Sequence, residues 1–205
     1  MEILITSKTH KGHAACVGGM IISNNRLVRI LNPGNHDQIE TTDFKIGDIW
    51  EIEFENRIDV IPPHIEDIII SKKKYLRHVE IISDFILHSG VEIYRGSPSI
   101  IFNGKLGWTG NGGGYIENKG NLPNYSVGFW ISDKNLEFND GYYHYHSENI
   151  FIQDKRLKYV GFQTTTQIIP AGTLMRVSLA RWWKPEDADI HDRCYLQLSG
   201  WYELA

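Results

Sequence analysis

Apolar residues along this chain fall mostly in short runs or in alternation with polar residues, bounded by Gly, Asn, Asp or Pro. This pattern is typical of β-strands joined by turns, and it predicts a mainly β protein. In GDIWEIEF, Trp50, Ile52 and Phe54 fall on one face of the predicted strand, and Glu51 and Glu53 fall on the other. Carboxylates in a row repel phosphate, so we expect no nucleic-acid contact on that face.

One segment has a different period. Leu76, Val79, Ile82 and Ile86 are spaced three or four residues apart, as on one face of a helix. We therefore predict a helix at about residues 73–88 between two β-rich parts, and two small barrels joined by this helix are the simplest architecture for that order. The predicted limits are 1–72 for the first barrel, 73–97 for the helical connector and 98–205 for the second barrel.

The stretch SLARWWKPEDADIHDRCYLQLSGWY, residues 178–202, contains three of the six tryptophans. Apolar and polar residues alternate before and within it, so we predict two antiparallel neighbouring strands, each with one apolar face and one polar-aromatic face. The apolar face comprises Met175, Val177, Leu179, Leu196 and Leu198. The outward face is predicted to carry Arg176, Ser178, Tyr195 and Gln197, with Arg181, Arg193 and some of Trp182, Trp183 and Trp201 at its ends.

Two interpretations of these aromatic residues stay open. Arginine beside tryptophan and tyrosine on a curved sheet is typical of sites for single-stranded nucleic acid or nucleotides, where bases stack on the rings. Large aromatic side chains also close small barrels. Since Trp182 and Trp183 cannot face the same way in a regular strand, at least one of them is expected in the core.

The motif His10-x-x-His13-x-x-Cys16 places three potential metal ligands within seven residues. A zinc site needs a fourth ligand and usually a different paired spacing, so we predict no bound metal, although His144 and His146, or Cys194, are candidates to complete one. Two other interpretations of the loop SKTHKGHAAC remain. It is either a solvated polar loop or a phosphate site that uses backbone N–H groups near Gly12 and the side chains of Lys8, His10, Lys11 and His13.

Six glycines lie between Asn103 and Tyr115. No Gly-Lys-Ser/Thr follows them and the next segment does not begin a helix, so a P-loop is not indicated. We predict a turn between strands, in which Trp108 offers a stacking edge and Asn111 contacts a base edge.

The charge composition limits which ligands the protein can bind. With 21 Lys and Arg against 25 Asp and Glu the net charge is −4, so a polyanion would need a local basic patch.

The sequence shows no signal peptide and no apolar stretch of about 20 residues, which predicts a cytoplasmic protein without a membrane partner. Cys16 and Cys194 are expected to be free thiols. We find no nucleophile motif, and we predict no catalytic residue and no cofactor.

The segments SLARWW and DRCYLQLSGWY, together with SKTHKGHAACVGG and RLVRIL near the other end, resemble the prokaryotic family of dual OB-fold-containing (DuOB) proteins. The resemblance covers both ends of the chain, and its C-terminal part is the more specific. It implies two OB-like barrels, binding of nucleic acid or nucleotides, and association with anti-phage or other conflict systems. It transfers no catalytic residue. The matching positions are Ser7, Cys16, Gly18, Arg29, Arg181, Trp182, Trp183, Arg193, Cys194, Tyr195, Gln197, Leu198, Ser199, Gly200, Trp201 and Tyr202.

We therefore expect a mainly β protein of two small OB-like barrels that binds single-stranded nucleic acid or a nucleotide and acts as the sensor of an anti-phage defence system. One alternative is a small nucleotide- or RNA-processing enzyme that uses His10, His13 and Cys16. The other is an interaction module whose aromatic tail packs on a protein partner from the same system. The predicted ligand-binding residues are Lys8, His10, Lys11, His13, Arg29, Trp108, Asn111, Arg176, Arg181, Trp182, Arg193, Tyr195, Gln197 and Trp201.

Overall fold

The structure is a computed structural model, and it describes residues 1–148, 151–187 and 189–203. Parts of three predicted segments lie outside these residues. They are the segment YYHYHSENIFI (142–152), whose sequence predicts a strand, the segment KPEDADIHD (184–192), whose sequence predicts a loop, and the end of the second barrel.

The first barrel is formed by a six-stranded sheet. Five of its strands close a ring in the order β1–β2–β3–β6–β5–β1, in which only β3 and β6 run parallel. The two-residue β4 is not part of this ring. β1, β2 and β3 form a meander, and the last strand, β6, lies between β3 and β5, which is the Greek-key connectivity of an OB barrel. The strands are β1 (Glu2–Lys11), β2 (Ala14–Ile21), β3 (Leu27–Leu31), β4 (Gln38–Ile39), β5 (Asp48–Asn56) and β6 (Asp67–His78).

The remaining strands form a ten-stranded sheet. They are β7 (Ile93–Arg95), β8 (Gly107–Trp108), β9 (Gly114–Glu117), β10 (Val127–Ile131), β11 (Leu136–Asn139), β12 (Tyr142–Tyr145), β13 (Lys155–Tyr159), β14 (Ile168–Ile169), β15 (Leu174–Leu179) and β16 (Arg193–Tyr202).

The OB connectivity recurs in this second sheet. β10 and β11 together act as the first strand, because β10 pairs with β15 while β11 pairs with β12. β12 and β13 are the second and third strands, and β16 lies parallel to β13 and antiparallel to β15. The predicted fold class, mainly β with two OB-like barrels, is confirmed, and so is the antiparallel pairing of the last two strands.

The single α-helix of the described residues, α1 (Ile82–Ser89), is shorter than predicted. Residues 73–78 are strand instead, because β6 stays paired with β5 as far as the pair of Asp48 and His78. The helical spacing of the apolar residues was misleading for a physical reason. Leu76, Val79 and Ile82 do pack on one apolar cluster, but from a strand, the segment that connects it to α1, and the helix itself. Two 3-10 segments cover Pro33–Asn35 and Pro98–Gly104, and no described helix is long and apolar enough to cross a membrane.

Each barrel has its own apolar core, and a third core joins the two barrels. The joining core contains Leu4, Met20 and Ile49 of the first barrel, Ile86 of α1, and Phe129, Leu174 and Tyr202 of the second barrel. Hydrogen bonds cross the same junction. The His10 amide donates to the Val160 carbonyl at 2.9 Å, and the Tyr202 hydroxyl donates to the Thr6 carbonyl. The barrels therefore meet along β1, next to the predicted binding residues.

Candidate nucleic-acid interface

A groove of about 810 Å³ crosses the outer face of the second barrel. We call it the sheet groove, and the side chains that give it its chemistry are Asn111, Tyr142, Arg156, Lys158, Trp183, Tyr195 and Gln197. OB barrels bind oligonucleotides on the face of their second and third strands and on the adjoining loops. Here those strands are β12 and β13, and the loop after the fourth strand carries Trp183. The groove therefore occupies the usual ligand face of the fold.

Trp183 is the most exposed aromatic side chain of this groove, with 57% of its surface open to solvent. Two backbone hydrogen bonds to Arg193, at 3.0 and 2.9 Å, hold its main chain against the start of β16. Its ring centroid lies 6.1 Å from that of Tyr195. An exposed indole fixed beside a tyrosine provides two ring faces on which unpaired bases can stack.

Arg156 and Lys158 add positive charge to the lining of the groove. The Arg156 guanidinium carbon lies 4.3 Å from the centroid of the Tyr142 ring, which fixes its position by a cation–π contact. The Arg156 Nε atom is buried and has no hydrogen-bond partner. Neither cation forms an ion pair within the described part of the chain, so both are free to contact phosphate.

The glycine-rich segment forms the β8–β9 hairpin and rims the groove. The backbone of Gly112 has a φ of 80°, and a Cβ atom there would lie 2.0 Å from the Asp154 carbonyl oxygen. Glycine is thus needed for the loop to dock on the chain before β13, where the Arg156 amide donates to the Gly112 carbonyl at 2.8 Å. This docking brings Asn111 to the rim of the groove, as an exposed residue whose Oδ1 accepts from Thr109.

A second depression, of about 290 Å³, lies between the barrels and shares Ala180 and Gln197 with the sheet groove. We call it the inter-barrel cleft. Its walls include Cys16, Gly18, Arg29, His64 and Glu66 of the first barrel and Arg176, Ser178, Arg181 and Ser199 of the second. The two depressions are therefore neighbours on the surface.

Beside the cleft, Asp67 accepts hydrogen bonds from three arginines. Arg29 binds it in a bidentate manner at 2.6 and 2.7 Å, Arg57 contacts it at 3.2 Å, and Arg181 reaches it from the second barrel at 3.1 Å. Burial alone would raise the pKa of Asp67, but the hydrogen bonds and charges of Arg29 and Arg181 outweigh it and hold the pKa below its usual value. The carboxylate is therefore ionised, and it fixes both Arg29 and Arg181 at the cleft.

His64 and Cys194 meet across the barrel junction, with His64 Nε2 3.4 Å from Cys194 Sγ. Burial, reinforced by the charges of Arg181 and Arg29, lowers the pKa of His64 to about 3, and burial raises the pKa of Cys194 to about 12. A nucleophilic cysteine needs a lowered pKa, so this neutral pair is not an activated thiol. Sequence reasoning missed His64 because 130 residues separate it from its partner.

The loop predicted at SKTHKGHAAC is instead a β-hairpin, since β1 ends at Lys11 and β2 begins at Ala14. His13 is exposed at its turn, and Lys11 Nζ pairs with Asp37 at 2.7 Å. His10 stacks on Phe162 at 3.7 Å between ring centroids, and Lys8 Nζ lies 4.9 Å from the same ring. No group of three or more His, Cys, Asp or Glu side chains suited to a metal occurs among residues 1–148, 151–187 and 189–203.

All three tryptophans among the predicted ligand-binding residues, Trp108, Trp182 and Trp201, are partly buried against the core of the second barrel. Trp182 Nε1 also donates to the Pro62 carbonyl at 2.9 Å. The exposed member of the C-terminal set is Trp183, which the predicted ligand-binding residues left out. The alternation of the strands does not extend into the loop after β15, so the pattern did not separate Trp182 from Trp183.

The prediction that Arg176 faces outward is wrong. Arg176 does lie opposite Met175 and Val177 in the alternation, but the first barrel covers its face and leaves it 3% exposed. The charge of Arg193 is also engaged, by an ion pair with Glu117 at 2.9 Å and by the Tyr115 ring at 3.9 Å. Tyr195 and Gln197 are half-buried and line the sheet groove, and Arg29 and Arg181 line the cleft.

Comparison with known proteins agrees with this architecture. A family model described as a dual OB-containing domain matches residues 1–201. We find no significant match among curated proteins or among solved structures. The match spans nearly all of both barrels, from β1 into β16. The chain therefore belongs to the family of dual OB-containing domain (DuOB) proteins.

Proposed function

We propose that this protein binds single-stranded nucleic acid or a nucleotide in the sheet groove and serves as the recognition module of a prokaryotic anti-phage defence system. The observation that carries the binding proposal is that the exposed Trp183 lines one groove with Arg156 and Lys158, on the ligand face of an OB barrel, and that these two cations form no ion pair with a described residue. The defence role is supported by the family resemblance alone.

Each part of the groove suits one part of a nucleotide. Trp183 and Tyr195 offer ring faces to bases, and a base–aromatic stack contributes about 1–3 kcal/mol. Arg156 and Lys158 are placed to contact phosphates. Gln197 and Asn111 carry amides that hydrogen-bond base edges. Stacking on these rings requires unpaired bases, so we expect binding of a single strand or a nucleotide and not of a duplex.

Replacing Trp183 with alanine is expected to weaken binding of a single-stranded oligonucleotide about tenfold, which is the loss of one stack of ordinary strength. The side chain is more than half exposed, so the fold should keep its stability. Fluorescence anisotropy with labelled DNA and RNA oligonucleotides of one sequence measures the affinity. Trp183→Phe is the matched control and should retain most of it. Equal affinity of the wild type and Trp183→Ala would contradict the role of Trp183.

Salt dependence tests the cations. Two phosphate contacts on a single strand predict that log K falls against log salt concentration with a slope of about −1.4, and Lys158→Gln should reduce the slope by about 0.7. Lys45→Gln is the control, because Lys45 is exposed on the first barrel and does not line the groove. The absence of any oligonucleotide or nucleotide binding at low salt would refute the proposed function.

A further inference from the structure

Arg176 is a buried cation that forms no side-chain hydrogen bond with a described residue, although the carboxyl group of Glu66 lies near enough to act on its charge. It is 3% exposed, its Nε atom has no partner, and it forms no ion pair in the described part of the chain. Arg29 and Arg181, which line the same cleft, both bind Asp67. A guanidinium keeps its proton in proteins, so burying one without an acceptor is unfavourable unless a ligand supplies the negative charge.

The backbone opposite Arg176 is shaped for the guanidinium. A Cβ atom at Gly18 would lie 2.4 Å from Arg176 Nη2 and 2.6 Å from Ser7 Oγ. Any side chain at residue 18 would therefore displace the guanidinium. Glycine thus leaves room for the guanidinium of Arg176, which is one of the residues that line the inter-barrel cleft.

Other groups of the cleft are suited to an anion with several oxygens. The hydroxyls of Ser178 and Ser199 are hydrogen-bonded to each other at 2.8 Å, and the hydroxyl that accepts in this pair keeps its own proton to donate to an anion. Arg29 and Arg181 add positive charge. The one carboxyl group of the cleft is Glu66, whose Oε1 accepts from Ser126 and whose Oε2 has no partner. Burial raises the pKa of Glu66, and the hydrogen bond from Ser126 and the charge of Arg176 oppose this rise.

We propose that the inter-barrel cleft binds a terminal phosphate monoester, with Arg176 as its principal ligand. The proposal rests on the proposed function, because the cleft adjoins the sheet groove at Ala180 and Gln197. A strand or nucleotide whose bases lie in the groove thus places its terminal phosphate beside Arg176. The smaller volume of the cleft, 290 against 810 Å³, suits an end group rather than a continuing chain.

The test compares the affinities of three oligonucleotides of one sequence, which carry a 5′-phosphate, a 3′-phosphate or no terminal phosphate. It also compares the affinity of a nucleoside monophosphate with that of its nucleoside. The wild type should bind one phosphorylated form at least tenfold more tightly than the unphosphorylated strand. Preference for a phosphorylated strand identifies a strand end as the source of the phosphate, whereas preference confined to the monophosphate identifies a free nucleotide. Equal affinity for phosphorylated and unphosphorylated ligands would overturn the cleft proposal while leaving the groove proposal intact.

Arg176→Met should abolish the preference and leave the affinity for the unphosphorylated strand unchanged. Its melting temperature without ligand should equal or exceed that of the wild type, since an apolar side chain of similar length replaces an uncompensated charge. Arg95→Gln removes an exposed arginine at β7 and is the matched control. A lower melting temperature with the phosphate preference retained would show that Arg176 is purely structural.

If no oligonucleotide binds, the groove proposal fails and the cleft is still tested alone. Thermal shift with a nucleoside monophosphate and with inorganic phosphate should then stabilise the wild type but not Arg176→Met. Ser178→Ala, in a half-buried position, keeps this test available if Arg176→Met does not fold, and it should reduce the thermal shift. No shift of the wild type by either probe would overturn the proposal.

Discussion

Replacing Asp67 with asparagine is expected to lower the free energy of unfolding by about 3–5 kcal/mol, because the change leaves buried arginines without their counter-charge. Asp67 has 1% of its side chain exposed, and Arg29 has 11%. Water therefore cannot replace the lost carboxylate. Chemical denaturation followed by tryptophan fluorescence and by circular dichroism measures the effect.

Asp59→Asn is the matched control for Asp67→Asn. Asp59 is an exposed carboxylate shortly before β6, and its replacement should change the free energy by no more than about 0.5 kcal/mol. Tryptophan fluorescence and circular dichroism also test the ion pair between Asp67 and Arg181, because this pair crosses the barrel junction. An unchanged denaturation midpoint in Asp67→Asn would mean that the arginines find other partners.

His64 is expected to make the protein less stable by about 2 kcal/mol when the pH falls from 7 to 5. Its pKa is about 3 in the folded protein and about 6.5 in the unfolded chain, so the unfolded chain binds the extra proton in this range. The contribution of His64 is complete above pH 6.5 and is lost progressively as the pH falls towards 3. Unfolding free energies measured at closely spaced pH values give the slope.

His64→Asn should remove most of that slope, whatever its effect on stability at pH 7. His13→Asn is the control, because His13 is exposed at the hairpin turn and its replacement should leave the slope unchanged. The range above pH 5 avoids the titration of Asp67, whose lowered pKa affects stability only in more acidic solution. If the dependence of the unfolding free energy on pH persists in His64→Asn, another group is responsible for it.

Local patterns predicted the parts of this fold that local packing determines. Alternation placed Trp50 and Ile52 inside the first barrel, where both are buried, and it placed β15 beside β16. It failed at Arg176, because the pattern shows which residues share a face and not what covers that face. The predicted limits of the two barrels and the binding roles of the predicted residues stay predictions.

The candidate site was only partly predictable for a related reason. Tyr195 and Gln197 were found because they lie on one strand of regular alternation. Arg156 and Lys158 were missed, although they alternate with the buried Leu157, because β13 joins the groove only through its long-range pairing with β16. Asp67 was missed too, since its contact with Arg181 spans 114 residues of sequence.

The pairing of β16 also has a consequence for synthesis on the ribosome. All five strands of the first ring lie within residues 2–78, so this ring can close while most of the chain is still to be made. The groove, the cleft and the joining core all use residues of β16, including Tyr195, Ser199 and Tyr202. A nascent chain therefore gains its proposed binding surfaces only after β16 has left the ribosomal tunnel and has packed against the first barrel.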